Sequence, residues 1–177
     1  MCSVFFLLSC SPIQGDVTTK YKRVASQTRN LIFQDEFNTD GSFDTSKWSY
    51  CQQKSLAWGR YLTQNSNYAL QRGGNLVLKM DDSVIPGDSV LYHSGGVQKK
   101  GKVSFTYGKV EVRAKFSGGR GSWTAIWMMP AGDTYGGWPY SSEIDIMEHV
   151  NNERMVHHNI HNAFVTNAAG GSTATKS

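Results

Sequence analysis

The sequence predicts an all-β protein, an antiparallel sandwich or barrel. Three observations carry this. Apolar and polar residues alternate with period 2 over much of the chain after residue 29. Glycines at Gly73-Gly74, Gly95-Gly96, Gly101, Gly108, Gly118-Gly119 and Gly136-Gly137 punctuate those runs at short intervals. No long amphipathic helix and no internal repeat breaks the pattern. The chain has 177 residues, which suits one domain, and at 39% hydrophobic it can bury a core. Aromatics make up 12%, which fits a β-rich fold or a protein that stacks on flat ligands.

The first element is a candidate leader, residues 1–10. Val4-Phe5-Phe6-Leu7-Leu8 is a short apolar run, and Leu7-Leu8-Ser9-Cys10 resembles a bacterial lipobox. That reading predicts export, with Cys2 lost with the leader, Cys10 lipidated and Cys51 left as a lone thiol. It places the protein at the cell surface or in the periplasm as a lipoprotein; plain secretion is the alternative. Any membrane association is then through lipid on Cys10, because no apolar run approaches the roughly 20 residues of a spanning helix. Residues 11–28 are polar and read as a tether. The remainder, 29–177, is the domain developed below.

The net charge is +4 and evenly spread, with nine basic and eight acidic residues in 1–88 and nine and six in 89–177. The clusters Lys20/Lys22/Arg23 and Lys99/Lys100/Lys102 read as solvated surface. No dense basic stripe is present, which argues against a nucleic-acid partner. No CxxC pair or Cys/His spacing suggests zinc.

Along the domain, Leu76-Val77-Leu78-Lys79-Met80 reads as a strand introduced by the turn Gly73-Gly74-Asn75. Val110, Val112, Ala114 and Phe116, alternating with Glu111, Arg113 and Lys115, read as a strand with one buried and one wet face. In Trp123–Pro130, Trp123, Ala125, Trp127 and Met129 share one face and Thr124, Ile126 and Met128 the other. A strand apolar on both faces is expected at the centre of the fold. The two Trp suit either a core pair or an aromatic platform for sugar rings.

Glu143-Ile144-Asp145-Ile146-Met147-Glu148 is the most informative stretch. In a strand, Glu143 and Asp145 point one way and Ile144 and Ile146 the other, into the core. Glu148 is an odd five residues from Glu143, so a regular strand would turn it away. A β-bulge around Ile146-Met147, with Met147 as the extra residue, returns it to the acidic face. Three carboxylates in a row between apolar residues repel, and at least one pKa must rise. Retaining glycoside hydrolysis uses such a row: one carboxylate attacks the anomeric carbon and another serves as acid, then base. A wet strand face and a Ca²⁺ site are the competing readings. The apolar flanks disfavour the first, and the nearby Trp residues fit sugar better than metal.

The bulged signature Glu143–Glu148 resembles that of glycoside hydrolase family 16, in its laminarinase and β-agarase branch. Other stretches match in order: Phe33–Asn38, Lys47-Trp48, Asn67 ahead of Gly74–Leu78, Tyr107–Lys115, Trp123–Met128 and Gly137-Trp138-Pro139. The resemblance spans about residues 30–163. It implies a concave antiparallel β-sandwich (jelly roll) and retaining endo-hydrolysis of a β-linked polysaccharide. By position, Glu143 is the implied nucleophile, Glu148 the acid/base and Asp145 the residue that orients and tunes Glu143. Trp123, Trp127 and Trp138 match cleft aromatics. Asn67 and Arg113 match sugar-hydroxyl contacts, and His161 matches a His near the acid/base. His149, His157 and His158 are expected at the surface or in loops. The resemblance requires no cofactor, leaves room for a structural Ca²⁺ and says nothing of oligomeric state.

This sequence departs from the family pattern in three places. Thr124 follows Trp123 where Pro is usual. Ser142 precedes the signature where β-1,3-glucanases usually have Gly. The chain ends at Ser177, so the strands expected after His161 are lacking and a partial domain is expected. The substrate expected first is β-1,3-glucan (laminarin) or mixed-linkage β-1,3-1,4-glucan. The alternatives are a galactan of the agar or carrageenan type, favoured by basic residues along the cleft, and a non-catalytic glycan-binding module. The module reading is disfavoured because all three carboxylates are present.

Overall fold

The computed structural model describes residues 30–164. The leader with Cys2 and Cys10, the tether 11–28 and the polar tail after Phe164 lie outside the described residues. The described strands are short: β1 (Ser49–Tyr50), β2 (Ala69–Gln71), β3 (Leu76–Leu78), β4 (Met80–Asp81), β5 (His93–Ser94), β6 (Val97–Gln98), β7 (Trp123–Met128), β8 (Glu143–Val150) and β9 (His157–His161). A single 3-10 turn, Ala57–Gly59, is the described helical element. Pairing between the named strands is antiparallel throughout, in three two-stranded sheets (β1-β6, β2-β3, β4-β5) and one three-stranded sheet ordered β7-β8-β9.

The run 76–80 forms two strands instead of one. Leu76–Leu78 pairs with β2 across the turn Arg72–Asn75, where Gly73 (φ 58°) and Gly74 (φ 70°) take the left-handed conformations of a tight hairpin. The Lys79 N–H then bonds the Tyr68 carbonyl (3.0 Å), and Met80–Asp81 changes partner to β5. Gly95 makes that crossing possible, because a β-carbon there would lie 1.8 Å from the Tyr68 carbonyl oxygen.

The main described core gathers Phe37, Phe43, Trp48, Ala69 and Val97, with Phe33, Tyr50, Leu76, Leu78 and Val112 packed against it. Trp48 is fully buried, and its Nε1–H donates to Asp35 Oδ2 at 2.9 Å. Lys99 does not sit in solvent as its basic neighbours suggested. It is buried, with Nζ 3.4 Å from the centroid of the Phe33 ring and donating to the Lys47 carbonyl at 2.6 Å. The aromatic face and the carbonyl replace water for the ammonium, and burial lowers its pKa to about 8. Replacing Trp48 by Ala should cost about 3–5 kcal/mol, a large part of a domain's total stability. Urea unfolding monitored by circular dichroism should show the loss as a collapse of the midpoint.

Three expectations fail here. Residues 110–116 belong to no strand; Glu111 and Val112 are half-buried, and 113–116 are exposed. Their alternation promised a half-buried strand, but no partner backbone among the described residues completes a ladder. Among the described residues β7, apolar on both faces, is an edge of its sheet, and β8 is the middle strand. Ile144 is 41% exposed and Ile146 half-buried: the cover that buries Ile126, Met147 and His149 on that face, where Phe116 packs on the His149 ring, stops short of Ile144 and Ile160.

Candidate active site

The sheet β7-β8-β9 carries the acidic motif. Its register pairs Ala125 with Glu148, Ile126 with Met147, and then Trp127 with Asp145, so Ile146 is left over opposite β7. Against β9, Asp145 faces Asn159 and Glu148 faces His157, so Ile146 and Met147 together oppose His158. This is a β-bulge. The residue without a partner on β7 is Ile146, one position before the Met147 expected from sequence. His158 Nδ1 bonds the Ile146 carbonyl, fixing the bulge from its outer side.

The bulge decides which side chains meet. Directly paired residues share a face and neighbours along a regular strand alternate. One face therefore carries Trp123, Ala125 and Trp127 from β7, Glu143, Asp145 and Glu148 from β8, and His157, Asn159 and His161 from β9. The other carries Thr124, Ile126, Met128, Ile144, Met147, His149 and Ile160. His149 is buried there, with Nε2 2.8 Å from the Glu153 carbonyl, and is not a surface residue.

Each carboxylate has its own N–H donor. Trp138 Nε1 donates to Glu143 Oε2 at 2.6 Å. His161 Nε2 lies 3.0 Å from Asp145 Oδ2, and its ring packs beside Trp138 at 5.9 Å. Trp123 Nε1 donates to Glu148 Oε1 and Asn159 Nδ2 to Glu148 Oε2, both at 2.8 Å. Trp127 meets Trp58 of the 3-10 turn edge to face at 5.9 Å. Trp138 reaches Glu143 from the loop 133–142, which is braced at Ser141: its hydroxyl donates to the Gly136 carbonyl (2.6 Å) and accepts from the Tyr135 N–H (3.1 Å). Ser142 sits at φ 69°, the left-handed region in which Gly is at ease. That conformation accounts for the preference for Gly just before the signature.

The electrostatics follow from this packing. Burial, and then the charges of Glu148 and Glu143, raise the Asp145 pKa to about 7, against the pull of His161. Burial also raises Glu143, with Glu148 adding repulsion and the Trp138 N–H and His161 opposing. Native Asp145 thus keeps its proton up to about pH 7, whereas the unfolded chain releases it near 3.9. Between those values the native state binds more protons, so stability falls as pH rises. Asp145→Asn should remove that loss. Its unfolding free energy should exceed the wild type's by a margin that grows on the order of 1–3 kcal/mol between pH 4 and pH 8. Denaturant melts at the two values would show it; a gap independent of pH would contradict the raised pKa.

Asn67 and Arg113 are not tied to this cluster. Asn67 is exposed and lines a hollow with Asn65, Tyr68, Arg72, Lys79 and Asp81, none of them acidic-motif residues. Arg113 is exposed in the unpaired segment 110–116. The sequence reading overlooked Trp58, signalled only by being a fifth Trp, and Asn159, signalled by its two-residue offset from His161. Among the described residues no three His, Cys, Asp or Glu side chains are arranged to hold a metal ion. The Asp35 carboxylate, beside Glu36 and Asp44 in the other acidic hollow, is engaged by Trp48, the Phe37 N–H and Lys47.

Residues 55–176 match the model of the glycosyl hydrolases family 16. The chain is 61% identical over 155 residues to a keratan-sulfate endo-1,4-beta-galactosidase of Sphingobacterium multivorum, covering 87% of this chain and 37% of that protein. It is 36% identical over 163 residues to a beta-glucanase of Rhodothermus marinus, covering 88% and 54%. The solved laminarinase from Rhodothermus marinus superposes with a TM-score of 0.72 at 35% identity, over 82% of this chain and 59% of that one. The chain therefore spans between about a third and three-fifths of the length of these relatives.

Proposed function

Because the chain belongs to glycosyl hydrolases family 16, we propose that it serves retaining endo-hydrolysis of a β-linked polysaccharide. Its all-β architecture is that of the family's antiparallel jelly roll, with the described sheets not closed. The observation that carries the proposal is the bulge, which sets Glu143, Asp145 and Glu148 on one face between indole donors.

In this reading Glu143, ionised, attacks the anomeric carbon. The glycosidic C–O bond breaks, its electron pair goes to the leaving oxygen, and that oxygen takes the proton of Glu148. Glu148, now ionised, withdraws a proton from water, and the hydroxide oxygen displaces Glu143 from the anomeric carbon. Trp138 holds Glu143 in line while taking up part of its charge. Asp145, protonated below about pH 7, spares the two glutamates a third negative neighbour. Trp123 and Trp127, with Trp58 buttressing Trp127, give sugar rings apolar faces to stack on.

For the substrate, the 61% identity to a keratan-sulfate endo-1,4-beta-galactosidase favours a β-galactosidic bond, in keratan sulfate or a galactan. The second reading is β-1,3-glucan, favoured by the beta-glucanase relative and the laminarinase-like backbone. Reducing-end release from keratan sulfate, agarose, carrageenan, laminarin and lichenan separates them. The proposal expects cleavage of the β-galactosidic substrates, keratan sulfate, agarose or carrageenan, to dominate; release from the glucans alone would overturn the β-galactosidic choice, and release from none would overturn the activity.

A further inference from the structure

Glu148 is held at both oxygens, and the two donors are unlike. Trp123 donates to Oε1 from an edge strand, with 54% of its surface exposed. Asn159 donates to Oε2 from β9. Asn159 is half-buried, is paired across the ladder with Asp145, and so reaches Glu148 diagonally over the bulge. An oxygen that accepts an N–H in the carboxylate plane cannot also present an acidic proton in that direction. A Glu that acts first as acid and then as base must free one oxygen and keep its other end fixed.

We propose that Asn159 is the positioning residue of Glu148, anchoring Oε2 so that Oε1, the oxygen facing Trp123, is the one that delivers and later takes the proton. The assignment rests on Glu148 being the acid/base in the proposed hydrolysis. Substrate arriving against the exposed Trp123 draws the indole N–H away from Oε1, while the strand-borne amide stays. An amide suits the anchor because it neither gains nor loses a proton across the working pH range. It holds Glu148 without competing for the proton in transit.

The test uses the full chain. Asn159→Ala should lower kcat on polysaccharide by about 10- to 100-fold, the scale of a slightly misplaced catalytic group, with KM changed less than about threefold. On aryl glycosides with good leaving groups, which need little protonation, the loss in the glycosylation step should shrink toward wild type. A residue that only supports the fold would lower both rates alike and lower the unfolding midpoint with them. Nuclear magnetic resonance of the wild-type Asn159 side-chain amide gives a second readout that needs no folded Asn159 variant. Glu148→Gln should shift that amide resonance strongly, because its carboxyl acceptor is replaced by an amide. Equal losses on both substrates, or an amide indifferent to Glu148→Gln, would overturn the assignment alone. A wild-type chain that cleaves no glycoside would overturn the proposed hydrolysis and the assignment with it.

Discussion

Glu143→Gln should reduce hydrolysis by about 10⁴-fold or more and leave the unfolding midpoint at or above the wild type's. In the proposed reaction the carboxylate supplies the bond to the anomeric carbon, and an amide of the same shape cannot. The structure also says why the fold should survive. The contact Glu143 makes with Trp138 is an acceptor contact, which a Gln carbonyl oxygen can make as well. The substitution removes a half-buried charge that burial and Glu148 disfavour, so the loop 133–142 keeps its bracing while repulsion on the sheet falls. Rates measured on the preferred polysaccharide, beside denaturant melts of both proteins, test the two halves together. Near-normal turnover would remove Glu143 from the nucleophile role.

The second large effect concerns Glu148→Ala. Polysaccharide turnover should fall about 10²- to 10⁴-fold, the usual worth of a positioned acid/base. In the proposed reaction both chemical steps lose their proton carrier, but the first recovers on substrates whose leaving group departs unaided. Azide added to the variant should then restore turnover on those substrates, since it attacks the glycosyl-enzyme without a base, and a β-glycosyl azide should accumulate. The vacated side chain lies beside the exposed Trp123, which leaves the small anion room to approach. Equal losses on aryl glycosides and polysaccharide, with no azide product, would move the acid/base role elsewhere.

Much of this site could be read from the order of residues alone. The odd spacing of Glu143 and Glu148 demanded a bulge if both were to share a face, and the strand has one. Its leftover residue is Ile146 where Met147 was expected, because side-chain parity fixes only that one residue is extra. The alternation in β7 placed Trp123 and Trp127 on one face, and the register puts that face against the carboxylates. Alternation failed where the question was what lies opposite. It could not say that 110–116 would find no described partner, that β7 would be an edge, or that Ile144 would stay 41% exposed. Polarity patterns report the two sides of a strand, and burial depends on the layer brought against it. Lys99 failed for a related reason: a cluster of charges reads as solvated, yet its aliphatic stem and ammonium fit between Phe33, Trp48 and a carbonyl. Asn159 and Trp58 were missed because their roles come from cross-strand and loop contacts that no local motif encodes.

The central claim is that a bulged strand aligns Glu143 and Glu148 for double displacement. The stereochemistry of the first product formed tests it most directly. Proton nuclear magnetic resonance, recorded during early turnover of the polysaccharide that the chain cleaves, distinguishes the anomers before mutarotation blurs them. Two inversions at one carbon predict that the β-anomer of the new reducing end appears first and decays toward equilibrium. An α-anomer appearing first would mean a single displacement by water, and would contradict the nucleophile and acid/base roles that the geometry supports.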